Sequence, residues 1–115
     1  TPMVALSRVV KNKHAMEMLL TGDFINADKA KSIGLINNSF KEQELFNEIN
    51  LIANKLSKKS TLTLKIGKKA FYNQSEMKIT DAYKYASEVM IQNMMEKDSD
   101  EGIRAFIEKR KPNWN

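Results

Sequence analysis

Apolar residues recur at helical spacing along most of this chain, and no set of strands can be read beside them. Leu45, Ile49, Ile52 and Leu56 fall at i, i+4, i+7 and i+11, one face of one helix. With four Gly and two Pro in 115 residues, little in the sequence interrupts long helices. A helix buries its apolar stripe against another element. These helices therefore pack on each other, or cover a layer that this sequence does not encode.

The start and stop signals predict a series of helices. Thr1-Pro2 reads as an N-cap followed by proline at the first helical position, opening a helix over 3–10. A second helix, over 14–20, carries Met16, Met18, Leu19 and Leu20 and stops at Thr21-Gly22-Asp23. Asn26 caps a third over 27–33, with Gly34 as its left-handed stop. Leu35-Ile36 is the one stretch read as a short strand. Ser39 with Glu42 makes a capping box for the fourth helix, and Ser60 caps a fifth carrying Leu62 and Ile66. Thr80 is read as the cap of a long helix to about Lys97, with Ala82, Ala86, Val89, Met90 and Met94 on its apolar side. Asp98 with Glu101 resembles another capping box. The last helix presents Ile103, Phe106 and Ile107 on one face and ends at Pro112. The fold class that follows is mainly α, with at most one or two short strands.

Composition narrows the chemistry. No apolar run approaches the roughly 18 residues of a membrane span, and no charged start leads into an apolar signal core. The absence of Cys removes disulfide and thiolate chemistry and suits a reducing compartment. The net charge of +5 comes from nineteen basic residues, sixteen of them lysine. Such a balance favours anionic partners or reads simply as a solvated lysine-rich surface.

Few residues invite a catalytic role. Asp98, Asp100 and Glu101 cluster at a predicted helix start, where acids favour the positive end of the dipole. Glu42, Glu44 and Glu48 read as a solvated face. His14 is the single histidine, so a metal site would lack partners, and no spacing suggests a triad. No glycine-rich phosphate loop is present. The methionines read as packing filler. Two places combine rings and cations: Lys68-Lys69 before Phe71-Tyr72, and Phe106 before Lys109-Arg110-Lys111. A ring with nearby cations can clamp a purine and its phosphates. The plainer reading is an amphipathic helix with snorkelling lysines.

Two separated stretches resemble the crotonase superfamily, the enoyl-CoA hydratases and isomerases. One is AMEMLLTGDFINA over 15–27, followed by Ala30 and Gly34-Leu35-Ile36. It is similar to the helix, turn and helix that follow the family's active-site segment. The other is DSDEGIRAFIEKRKP over 98–112, similar to the family's C-terminal signature. Order and spacing agree along essentially the whole chain. The usual hydratase carries Gly-Gly-Thr-Gln or Gly-Gly-Thr-Arg near the point where this sequence has TPMVALSR, residues 1–8. That departure looks more like the divergent, hydratase-domain-containing branch and leaves the reaction open.

The resemblance carries several implications. Residues 1–115 would be the C-terminal helical, oligomerisation region of a crotonase-fold (ClpP/crotonase-like) protein, whose strand-bearing region precedes Thr1. The oxyanion hole and the acid pair would lie there, so no residue of this chain inherits a catalytic role. The ligand would be a coenzyme A thioester, with no other cofactor and no metal. Phe106 and Lys109 match the ring and the lysine that cover the adenine end of CoA, often in a neighbouring subunit. The helical half would build trimers and dimers of trimers. The setting implied is the cytoplasm, or the mitochondrial matrix for a eukaryotic source. The rival readings are an oligomerisation module without ligand or activity and, third, a basic helical nucleic-acid binder. Three arginines and no reading motif count against the last.

Overall fold

A computed structural model describes residues 2–114. Among them lie seven helices and no strand: α1 Pro2–Val9, α2 Asn12–Thr21, α3 Ala27–Ser32, α4 Glu42–Ser57, α5 Thr61–Ser75, α6 Ile79–Met94 and α7 Lys97–Ile107. The cap assigned to Thr1 lies outside the described residues. Leu35-Ile36 is a bend rather than a strand.

Contacts group the chain into two compact units, Thr1–Asn50 and Leu51–Asn115. In the first, α1 packs on α2, and Val10, Ala15 and Ala30 are buried. The helix ends follow local chemistry. The Asn26 side chain accepts from the Lys29 backbone N–H at 2.8 Å, satisfying a donor that the first turn leaves open. Gly34, at φ +80°, ends α3. The Leu35 and Gly34 N–H groups then reach back to the Ala30 and Lys31 carbonyls, the paired bonds of a Schellman cap. Gly22, at φ +67°, ends α2 with one bond to the Met18 carbonyl.

In the second unit α5 and α6 form a helical hairpin, and α7 packs on both. Ser60 caps α5, accepting from the Thr63 N–H at 3.0 Å. Its hydroxyl donates to the Asp98 carboxylate, 38 residues away in sequence. Both side chains are buried. Three expected caps are not made. Helix α4 begins at Glu42 with its first bonds running to the Lys41 carbonyl, so Ser39 lies outside the cap position. Thr80 sits inside α6, which opens after Lys78. Asp98 sits inside the first turn of α7, spent on Ser60.

Small residues fill what is buried. Ala82 and Ala105 lie between helices of the second unit, and no large side chain among the described residues is fully buried. The predicted stripe of α4 is formed, yet Leu45, Ile49, Ile52 and Leu56 stay about half exposed. Soluble monomers seldom leave so much contiguous apolar surface uncovered.

Candidate functional site

The end of α7 gathers the residues that the sequence marks for ligand binding. Helix α7 forms because Asp98 and Asp100 favour its positive end and Ala105 tucks between helices at 1% exposure. It stops at Ile107, well before Pro112. Glu108 is the C-cap, and Lys109 follows at φ +54°. The Arg110 N–H reaches the Ala105 carbonyl at 3.0 Å and the Lys109 N–H reaches the Phe106 carbonyl at 3.3 Å. This is a Schellman cap with lysine where glycine is usual.

Three residues apart, Phe106 and Lys109 are expected on one helix face, and the geometry corrects this. Phe106 and Lys109 do not share a helix face: Phe106 is helical, whereas Lys109 lies past the helix in the left-handed turn. Phe106 is 85% exposed, and so is not packed as a core residue beside Ile103 and Ile107, which are exposed as well. Lys109 takes part in none of the ion pairs among the described residues.

A clasp that the sequence does not announce holds this turn. Arg110 donates two parallel bonds to Glu101, Nη1 to Oε1 at 2.6 Å and Nη2 to Oε2 at 2.9 Å, and its Nε donates to Glu108. The fork geometry is what arginine offers a carboxylate. Glu101 also accepts from the Asn113 N–H at 2.7 Å. Trp114 closes the tail, its Nε1 donating to the Lys58 carbonyl at 2.7 Å. The indole lies over Gly102, where an added Cβ would sit 3.5 Å from the ring. Lys58, Lys59 and Lys111 border a groove of about 710 Å³ beside that indole. The cue for the clasp is Glu101 and Arg110 nine residues apart, a spacing that no helix-surface rule pairs.

The hydrogen bonds from Arg110 and from the Asn113 N–H hold the Glu101 carboxyl down at about 2, from an ordinary 4.5. The same pairing raises Arg110 further above its ordinary range. A depressed carboxyl adds stability that is complete above its unfolded value and fades as pH falls through its folded value. Glu101→Gln is therefore expected to melt below the wild type at neutral pH. That difference should shrink as pH drops from about 4.5 towards about 2. The pair is partly solvated, so the effect is modest and weakens in salt. Melting curves across that range check it, and a gap that stays constant with pH would contradict it.

The other candidates separate. His14 lies on α2 beside a cleft of about 130 Å³ lined in part by Glu17, Asp23 and Lys29. The described residues contain no group of three side chains able to hold a metal. Phe71 and Tyr72 meet edge to face, with centroids 5.4 Å apart, rather than forming a parallel clamp. Arg110 is committed to Glu101 and Glu108, which leaves Lys109 and Lys111 as the cations after Phe106.

The enoyl-CoA hydratase/isomerase family matches residues 2–115. The chain belongs to the enoyl-CoA hydratase/isomerase family. It is 46% identical over 114 residues to the mitochondrial enoyl-CoA hydratase domain-containing protein 3 of Xenopus laevis, covering 99% of this chain and 39% of that one. It is 34% identical to a crotonyl-CoA hydratase of Syntrophomonas wolfei, covering 95% of this chain and 42% of that one. Among solved structures, an enoyl-CoA hydratase of Mycobacterium smegmatis superposes with a TM-score of 0.95 at 44% identity, covering 98% of this chain and 44% of that one. Human enoyl-CoA hydratase domain-containing protein 3 superposes at 0.92 and 42% identity, covering 98% of this chain and 45% of that one. This family member thus spans about two fifths of the length of the curated relatives it matches. Its helices are those of a crotonase fold, in keeping with a mainly α C-terminal part.

Proposed function

We propose that the whole protein is an acyl-CoA enzyme that hydrates or isomerises an enoyl-CoA, and that residues 1–115 are its C-terminal helical region. In this reading the rest of the protein supplies the sheet and the catalytic groups. The chain supplies oligomer contacts, in a trimer or dimer of trimers, and a cover over the adenine of CoA. The ligand is a CoA thioester, with no further cofactor. Several relatives are named as mitochondrial, which favours a mitochondrial setting and is compatible with the matrix. No helix described is long and apolar enough to cross a membrane.

One observation carries the CoA assignment: an exposed aromatic ring stands in the last turn of α7, and a lysine in none of the ion pairs among the described residues follows in a fixed turn. A ring offers adenine a stacking face, and an ammonium offers a phosphate a charge or adenine a donor. The second reading, an oligomerisation module without ligand, draws on the half-exposed stripe of α4.

Lys109→Ala in the full-length protein tests the first reading. Losing one charge-assisted hydrogen bond is expected to weaken crotonyl-CoA binding by about tenfold or more. Affinity for crotonyl-pantetheine, which lacks the adenine, should stay unchanged. Equal CoA affinity in variant and wild type would reject the role of Lys109 and favour the ligand-free module.

A further inference from the structure

We infer that Glu101 and Arg110 are positioning residues for CoA, fixing the turn that presents Lys109 while touching no ligand themselves. The inference rests on the proposal that Lys109 meets CoA. It starts from backbone conformation. A lysine at φ +54° occupies a region that is costly for an L-residue with a Cβ, and neighbouring contacts have to hold it there.

The residues on either side of Lys109 are held. Glu108 and Arg110 pair with each other, and Arg110 is forked onto Glu101, one turn before Ala105 on the same helix. The Arg110 N–H bonds the Ala105 carbonyl, so both its backbone and its side chain are tied back to α7. Glu101 fastens the chain a second time through the Asn113 N–H. Trp114 fastens it a third time, on the Lys58 carbonyl and over Gly102. Lys109 is the one residue of 108–111 left in left-handed backbone, its side chain in none of these bonds.

Such an arrangement reduces the conformational freedom lost when a flexible lysine engages a phosphate or a base. Without the fork, the chain after Ile107 gains an alternative in which Lys109 relaxes to right-handed backbone and carries its ammonium elsewhere. Arginine suits this role better than lysine because it alone makes two parallel bonds to one carboxylate.

The test uses the full-length protein and four variants: Glu101→Gln, Arg110→Lys, Lys109→Ala and the double variant Glu101→Gln/Lys109→Ala. Binding of crotonyl-CoA and of crotonyl-pantetheine is measured for each. Glu101→Gln and Arg110→Lys are expected to weaken crotonyl-CoA binding by at least about threefold, with crotonyl-pantetheine unaffected. The double variant should bind crotonyl-CoA no more weakly than Lys109→Ala, since the clasp acts through Lys109. A purely structural role would weaken both ligands together, or add fully to the Lys109 loss, and either result overturns the inference. If Lys109→Ala weakens CoA binding and neither clasp variant does, the inference fails while the reading of Lys109 stands. If Lys109→Ala has no effect, both fall. Should Glu101→Gln fail to fold, Arg110→Lys, which keeps the charge and loses the fork, decides alone.

Discussion

The 115-residue chain expressed alone is expected to turn over no crotonyl-CoA above a mock preparation. Hydrating an enoyl thioester needs an acid and a base placed about the double bond, together with fixed donors for the enolate oxygen. The carboxylates of α7 and its C-cap are otherwise engaged. Asp98 holds Ser60, Glu101 and Glu108 hold Arg110, and Asp100 pairs with Arg104 at 2.9 Å. The cleft beside His14, at about 130 Å³, falls below the roughly 300–1,000 Å³ of ordinary ligand pockets. The whole enhancement, at least about a millionfold in typical enzymes, should therefore be missing. Crotonyl-CoA hydration followed by loss of the enoyl absorbance checks this, with the full-length protein as the positive control. Sustained turnover by the purified chain that disappears in His14→Ala would overturn it and place chemistry in the first unit.

What the sequence discloses about this molecule depends on how far each residue's partner lies along the chain. Asn26 and Ser60 are legible as caps because each bonds an N–H three residues ahead. Gly34 is legible because few other residues tolerate its backbone angle. Asp98 and Glu101 form a capping-box pattern on paper, yet tertiary partners claim both, one 38 residues back and one nine ahead. The sequence places the end of α7 at Pro112 because proline is the break it shows, whereas a left-handed lysine leaves no mark in a sequence. The same shortfall hides the clasp. The fold class, by contrast, follows from apolar spacing alone. The exposed stripe of α4 agrees with helices patterned to cover something other than each other.

Asp98→Ala is expected to lower the unfolding free energy of the full-length protein by about 2–3 kcal/mol, a larger stability loss than any single cap would give. Asp98 is 8% exposed and Ser60 4%, so the hydroxyl cannot turn to bulk water for a substitute acceptor. Removing the carboxylate deletes a charge-assisted bond and leaves a buried donor unmet. It also frees the Ser60 side chain, which holds the Thr63 N–H at the start of α5, so both helix starts loosen together. Asp98→Asn keeps an acceptor oxygen in place and should cost about half as much. Ser60→Ala loses its bond and its cap, and should cost about 1–2 kcal/mol more than an exposed serine would. Because the two side chains serve one bond, the double variant should cost less than the two single losses added. Chemical denaturation of the four variants and the wild type measures all of this. Strict additivity, or a loss below about 0.5 kcal/mol for Asp98→Ala, would show that the bond does not tie α5 to α7.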